Sequence, residues 1–188
     1  ALYGAIGDYI DDTPWVKNAL NNWDKRSIYL EAGILIQGLE GSRREHDFKR
    51  RIVDLLAKNM LPSSDPELLL RAYVQTRKDE ELRIWVKNNV KTHGVVGYVA
   101  NPPGSIGRAA NYARIYSGKP IGLAYEERGD MLVMSLRSSP GIDLNTLLRK
   151  ATREIGGSGG GHPSAAGARI KREKFLDLLN LITEMTSI

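Results

Sequence analysis

The sequence contains no cysteine among its 188 residues. This absence excludes disulfide bonds, thiolate metal ligands and cysteine nucleophiles, and it is typical of a reducing compartment, so we expect a cytoplasmic protein. Long apolar runs are also missing, since no stretch approaches the roughly 18 apolar residues of a membrane-spanning helix. We therefore expect no membrane association. The opening residues 1–7 resemble a buried strand or helix, which is a rare beginning for a native protein, so we expect a truncated chain.

The composition is that of a folded, basic protein. Apolar residues make up 41% of the chain and charged residues 26%, which indicates a globular domain, or one small domain with a helical piece attached. The net charge of +5 and the pI near 9.4 favour polyanionic partners, because Lys and Arg release counterions when they neutralise phosphates. A basic surface that only keeps the protein soluble explains the charge equally well.

The first half of the chain has the apolar spacing of helices. One helix is predicted to end at Gly41, a second to stop before Pro62, and a third to begin with Asp65 as its cap and Pro66 in its first turn. The apolar positions that define them are Ile28, Ala32, Leu35, Ile36, Leu39, Phe48, Ile52, Leu55, Leu56, Met60, Tyr73, Leu82, Val86 and Val90.

From residue 93 onward, short apolar segments separated by glycine and proline replace this spacing, so we place a domain boundary between residues 1–92 and 93–188. The second part predicts a small α/β domain with a mixed sheet, preceded by a mostly helical segment. Its predicted order is strand, helix, strand, strand, helix, strand, helix. The strands are expected at 95–100, 121–126, 131–137 and 165–170, and the helices after Ser105, after Asp143 and over 175–185.

The strongest local signal is the run at 156–163, Gly-Gly-Ser-Gly-Gly-Gly-His-Pro, in which five of the first six residues are glycine. Such a run lets backbone amides converge as an anion nest, with His162 at its rim, and phosphate is the expected guest. A flexible connector is the alternative, although connectors seldom join an amphipathic helix to a buried strand. The run is neither a Walker loop, which needs Lys followed by Ser or Thr, nor a Gly-x-Gly-x-x-Gly motif.

Two further candidates have simpler alternatives. Ser135 and Arg137 share one face of the predicted strand 131–137, where they could donate to a phosphate, but Arg137 alone is more typical of a surface salt bridge. Asp8 follows an apolar stretch, where a carboxylate at the end of a strand could hold a divalent cation, but Asp is more often a turn or cap residue.

The segment Gly160-Gly161-His162-Pro163 with Ala165-Ala166-Gly167 resembles the glycine-histidine signature of the domain associated with DHH-family (RecJ-like) phosphoesterases. The segment 135–138, Ser-Leu-Arg-Ser, and Asp143-Leu144 match that domain as well, and the resemblance covers residues 93 to 188. Residues 4–8 are similar to the fourth motif of the DHH catalytic domain, and residues 1 to 90 to the tail and helical connector of that domain.

The resemblance implies a phosphodiesterase or exonuclease that uses two divalent cations, Mn²⁺ or Mg²⁺. It implies Asp8 as a metal ligand. It implies that substrate phosphates are held by Ser135, Arg137, His162 and the amides of Gly159, Gly160 and Gly161. Ser105 and Arg108, at a helix N-terminus, are further candidates for a neighbouring phosphate. The implied partners are single-stranded nucleic acid, an oligonucleotide or another phosphoester, and a dimer is compatible with the sequence.

The first three motifs of the catalytic domain, including the Asp-His-His triplet, are absent from these residues. Two-metal chemistry needs two cations roughly 3.5–4 Å apart, and one Asp does not hold them. We therefore expect no stable metal binding and no hydrolysis by this chain alone. Two other hypotheses stay open, a stand-alone nucleic-acid or nucleotide-binding module and a structural domain whose glycine run is only a loop. An Asp-His-His triplet encoded upstream would favour the enzyme.

Overall fold

The computed structural model describes residues 1–42 and 44–186. The chain divides into two compact units, Ala1–Asp79 (unit 1) and Glu80–Ile188 (unit 2), and the division falls within one long helix. The sequence places a boundary some 13 residues later, where the strands begin. No helix among the described residues has the length and hydropathy that crossing a bilayer requires.

Unit 1 is helical. Its described helices are α1 (Leu2–Gly7), α2 (Pro14–Leu20), α3 (Lys25–Leu39), α4 (His46–Ala57) and the first part of α5 (Pro66–Asn89), with a 3-10 turn at Pro62–Ser64. Asp65 accepts a hydrogen bond from the amide of Leu68 at 2.8 Å, so the predicted cap of α5 is confirmed. Buried side chains form two small cores: Ala5, Val16, Leu20 and Ile28 in one, and Ile34, Phe48, Ile52, Leu68 and Ala72 in the other.

Unit 2 is built on a six-stranded mixed sheet. Its strands are β1 (Lys91–His93), β2 (Val96–Ala100), β3 (Ile121–Arg128), β4 (Met131–Ser138), β5 (Ser158–Gly161) and β6 (Ala165–Lys171). Their order is β1-β2-β3-β4-β6-β5, in which β2 and β3 are parallel and the other neighbours antiparallel. The predicted α/β class with a mixed sheet and a helical segment before it is confirmed, whereas the sequence did not predict β1 and β5.

Helices cover the two faces of this sheet differently. On one face, α7 (Leu144–Glu154) and α8 (Phe175–Thr186) bury the apolar side of β4 and β6, including Leu136, Ala166 and Ala168. On the other, α6 (Ile106–Ser117) packs over β2, β3 and β4. We call these the α7 face and the α6 face. Alternation along β6 places Ala165, Gly167 and Arg169 on the α6 face, where they are half-buried or exposed.

Candidate phosphate-binding site

Arg137 lies on the α6 face, near the end of β4. Its neighbour Leu136 is fully buried on the α7 face, so Ser135 and Arg137 share the α6 face, as the sequence predicts. The guanidinium rests against the first turn of α6, because a Cβ added to Gly107 would lie 2.8 Å from its Nη2 atom. Its Nη1 donates to the carbonyl of Leu136 at 2.9 Å. A glycine at 107 therefore lets the charge approach the start of the helix.

His162 lies on the same face of the sheet as Arg137 and at the same position along the strands. The amide of His162 donates to the carbonyl of Ala165 at 2.9 Å, and the amide of Ala165 donates back at 3.3 Å, so these residues are directly opposite. Arg137 is opposite Ala165 on its other side. Opposite residues of antiparallel strands place their side chains on one face. Arg137 in β4, Ala165 in β6 and His162, directly after β5, thus form a row about 10 Å wide at the usual strand spacing.

The next row of the α6 face is Ser135 and Gly167, which are opposite each other. Gly160 is opposite Gly167 on its other side, but a Cβ at Gly160 would point to Asn145 and Arg149 of α7. The two rows together make a shallow floor of glycine and alanine. Ser135 and Arg137 border it on one side and the exposed His162 on the other. We call this surface the glycine groove.

The glycine run forms β5, the edge strand of the sheet, rather than a nest of convergent amides. His162 and Ala165 exchange two backbone hydrogen bonds, and in an antiparallel pair every second residue does so. The amide of Gly160, two residues earlier, therefore faces β6. The amide of Gly161 faces away from β6 and donates to Oδ1 of Asn145 at 3.1 Å. The prediction that these amides converge on one anion is therefore wrong. The assignment of Gly159, Gly160 and Gly161 to phosphate binding stays a prediction, which now depends on their missing side chains.

The backbone of β5 requires glycine. Gly160 and Gly161 have φ angles of +151° and +154°, which residues with a side chain rarely adopt. A Cβ at Gly161 would lie 2.8 Å from the carbonyl oxygen of Ala165 and 2.8 Å from the Cα atom of Ala166. One at Gly160 would lie 3.1 Å from Oδ1 of Asn145. Glycine at these two positions is therefore required by the backbone of β5 and by its contacts with α7 and β6.

The start of α7 holds β5 in place. Asp143 caps this helix, as predicted, and accepts hydrogen bonds from the Thr146 hydroxyl at 2.6 Å and from the amides of Asn145 and Thr146. These bonds, led by the Thr146 hydroxyl, lower the pKa of Asp143. Asn145 then accepts from both Gly161 and Nε of Arg149. Sequence reasoning missed Asn145, and its only signal is its position in the first turn of the helix before the glycine run.

The N-terminus of α6 is the third component. Ser105 occupies the N-cap position, as predicted, but its side chain makes no capping hydrogen bond with the helix. Arg108 lies half-buried in the same first turn. Helix N-termini favour anions, because amides there lack intrahelical partners and the helix dipole is positive. The phosphate-binding roles of Ser105 and Arg108 stay predictions.

Asp8 does not end a strand. It caps the C-terminus of the helix α1, is exposed, and uses its amide to bond the carbonyls of Gly4 and Ile6. Within residues 1–42 and 44–186, no three His, Asp or Glu side chains come together in a way that could hold a metal ion. Asp8 as a metal ligand stays a prediction.

A mixed sheet with helices on both faces and a glycine edge strand beside an Arg–Ala–His row defines unit 2 as a small α/β domain. Residues 91–187, more than half of the chain, match the family model of the DHHA1 domain. The chain belongs to the DHHA1 domain family, the class of domain that the sequence resemblance indicated. No protein with a curated description matches the sequence significantly.

Three solved structures share the fold. The pGpG-specific phosphodiesterase PggH from Vibrio cholerae has a TM-score of 0.57 and 16% identity, over 80% of this chain and 54% of PggH. The DHH domain of a member of the s1p family of ribosomal proteins has a TM-score of 0.63 and 14% identity, over 98% of this chain and 48% of that one. RecJ from Thermus thermophilus, in complex with Mg²⁺, has a TM-score of 0.58 and 13% identity, over 99% of this chain and 33% of RecJ. This chain spans about half or less of their lengths.

Proposed function

We propose that the glycine groove binds the phosphates of a single-stranded nucleic acid or oligonucleotide, as the substrate-binding part of a metal-dependent, RecJ-like phosphoesterase. One observation carries the proposal. In the row Arg137–Ala165–His162, a residue with a guanidinium and a residue with an imidazole lie opposite the same alanine, at the two sides of a floor without bulky side chains, and this arrangement supports the proposal. A phosphate backbone fits such a floor, and both side groups can donate hydrogen bonds to its oxygens.

The start of α6 adds to this attraction. The guanidinium of Arg137 lies against the first turn of that helix. An anion placed there would interact favourably with the guanidinium and with the positive end of the helix at once. In the groove, Ser135 could then orient the same phosphate with its hydroxyl, and Ser105 could do so from the N-cap position. Binding, rather than bond cleavage, is what these residues can perform.

The charge distribution points to the same unit. Residues 80–188 carry 15 Lys and Arg against 10 Asp and Glu, whereas residues 1–79 carry 12 of each. The whole net charge of +5 therefore belongs to unit 2. A basic surface raises the local concentration of polyanions and makes their binding salt-dependent, so a phosphate-rich ligand of unit 2 is favoured over a neutral one.

The relatives that share the fold support the substrate class that we propose. PggH is a phosphodiesterase specific for pGpG, and RecJ of T. thermophilus has been solved with Mg²⁺ and with Mn²⁺. A phosphodiester of nucleotides is thus the substrate that we propose. The longer protein would use Mn²⁺ or Mg²⁺, with Asp8 among its ligands. We place this protein in the cytoplasm.

Arg137→Ala should weaken binding of a labelled single strand roughly tenfold or more at low salt, because one charge-assisted hydrogen bond is lost. His162→Ala should weaken it less, by several-fold, since its imidazole is exposed. Fluorescence anisotropy measures both. Arg153→Ala is the matched control, because Arg153 is exposed on α7, on the other face of the sheet. Equal affinities for all four proteins would support a purely structural domain.

The chain alone should not cleave an oligonucleotide in the presence of Mn²⁺. A two-metal reaction needs more ligands than Asp8, and the described residues bring no group of three together. Gel analysis of a labelled single strand after prolonged incubation tests this expectation. Cleavage that requires Mn²⁺, stops with a chelator and disappears in Asp8→Asn would contradict it.

A further inference from the structure

Arg114 is a cation with few partners. It lies on α6, seven residues after Gly107, and is half-buried. Its Nη1 donates to the Ser139 hydroxyl at 3.2 Å, and its Nε atom is buried without a hydrogen-bond partner. In the described part of the chain no carboxylate pairs with it, so its charge is met by a neutral hydroxyl and by the last turn of α6, where the helix dipole favours a cation.

A guanidinium with an unbonded buried Nε and no counter-ion is unfavourable unless another group accepts its hydrogen bonds. Buried donors in folded proteins nearly always have a partner, and a partly buried charge without a counter-ion loses hydration with no compensation. Other arginines of unit 2 show the usual solution, since Arg83 pairs with Glu80 and Arg128 with Glu126. The partner that Arg114 lacks is therefore an acceptor that carries negative charge.

The position of Arg114 identifies which anion could reach it. Ser139 follows β4 directly, two residues after Arg137. The preceding residue, Ser138, donates its amide to the carbonyl of Ser164 at 3.1 Å, and Ser164 lies in the turn that carries His162. Arg114 and Ser139 therefore adjoin the end of the glycine groove on the side of α6.

The distance between the sites of Arg137 and Arg114 limits which ligands can contact both guanidinium groups. Arg137 contacts α6 at Gly107, and the seven residues from there to Arg114 rise about 10 Å along the helix. The two sites are therefore too far apart to share one phosphate group and would take two separate phosphates. A dinucleotide with one phosphodiester carries a single phosphate and cannot occupy both sites, whereas a longer strand carries at least two.

We propose that Arg114 and Ser139 form a second phosphate subsite, which takes another phosphate of the oligonucleotide that is held at Arg137. This inference rests on the proposed function and makes it more specific, because it assigns the groove to oligonucleotides longer than a dinucleotide. Ser139 is the positioning residue, since its hydroxyl orients the guanidinium. The longer strand gains one contact that the dinucleotide lacks.

Arg114→Gln should weaken binding of a labelled hexathymidylate about tenfold, which corresponds to one charge-assisted hydrogen bond. It should also reduce the slope of log K against log salt by about 0.7, the value for one phosphate of a single strand. Binding of dithymidylate should not change. Arg153→Gln, which removes the same charge from α7, should leave the hexathymidylate affinity and slope close to those of the wild type.

The outcomes separate this inference from the function on which it rests. If Arg137→Ala weakens hexathymidylate binding but Arg114→Gln behaves like Arg153→Gln, the second subsite is contradicted, whereas phosphate binding by the glycine groove is supported. If Arg137→Ala has no effect, the proposed function fails. A fold defect in Arg114→Gln does not block the test, because the Nε–Hε resonance of Arg114 in the wild type should shift on adding hexathymidylate and not on adding dithymidylate. An unshifted resonance at saturation would overturn the subsite.

Discussion

Alanine at position 122 should destabilise unit 2 by about 3 kcal/mol, at the upper end of the usual effect of overpacking. Gly122 lies in β3, opposite Arg137, where α6 crosses the sheet. An added Cβ would overlap the carbonyl oxygen of Ala110 and lie 2.5 Å from the amide nitrogen of Arg114. Both are backbone atoms of a helix, so no change of side-chain rotamer relieves the overlap. The helix would have to leave the sheet.

Urea unfolding followed by circular dichroism measures this loss. Gly118→Ala is the matched control, because Gly118 ends the same helix with a φ of +66° and an added Cβ there would meet nothing within 4 Å. It should lose only about 1–2 kcal/mol, the usual cost of the left-handed conformation for a residue with a Cβ. Equal stability of Gly122→Ala and the wild type would show that α6 is not packed as closely as described, and with it that Arg137 does not reach the first turn of α6.

Gly161→Ala should reduce affinity for a single strand at least tenfold and lower the unfolding free energy by about 2 kcal/mol. The φ of +154° is strained for alanine, and the added Cβ would lie 2.8 Å from the backbone of Ala165 and Ala166. The hairpin between β5 and β6 must therefore distort. Since His162 follows directly, its imidazole should move relative to Arg137, and this displacement should appear as lost binding.

Gly129→Ala is the control for Gly161→Ala, because it distinguishes the effect of local backbone strain from the effect of a distorted glycine groove. Gly129 lies in the turn between β3 and β4 with a φ of +64°, and an added Cβ would meet nothing within 4 Å. We expect a moderate loss of stability there and wild-type affinity in the anisotropy measurement. If Gly161→Ala bound the strand as tightly as Gly129→Ala, the geometry of β5 would not matter for binding, and the glycine groove would lose its main support.

The sequence predicted four of the six strands, β2, β3, β4 and β6, because each of these four has a local pattern. Alternation between Ser135, Leu136 and Arg137 sets which of them is buried, and no distant residue is needed to infer it. The caps Asp65 and Asp143 were also correct, since their hydrogen bonds reach only two or three residues along the chain. Local chemistry was sufficient for these features.

The errors concern residues whose partners are distant in sequence. Glycines carry no apolar pattern, so the run at 156–161 gave no strand signal, and its pairing with β6 decided its structure. Asn145 acquired its role only when Gly161 came within hydrogen-bond distance, 16 residues along the chain. For Asp8 the sequence left the preceding segment open between strand and helix, and the structure makes it a helix with Asp8 as its cap, because short apolar segments suit either element.

The sequence alone determined the α/β class, the basic character of the second half, and the residue types that can meet a phosphate. Only the tertiary structure decided that Arg137 and His162 share one row across β4, β6 and β5, and that Arg114, among the described residues, lacks a counter-ion. The physical reason is that composition and periodicity follow from neighbouring residues, whereas the position of a binding group depends on which strands pair and in which register.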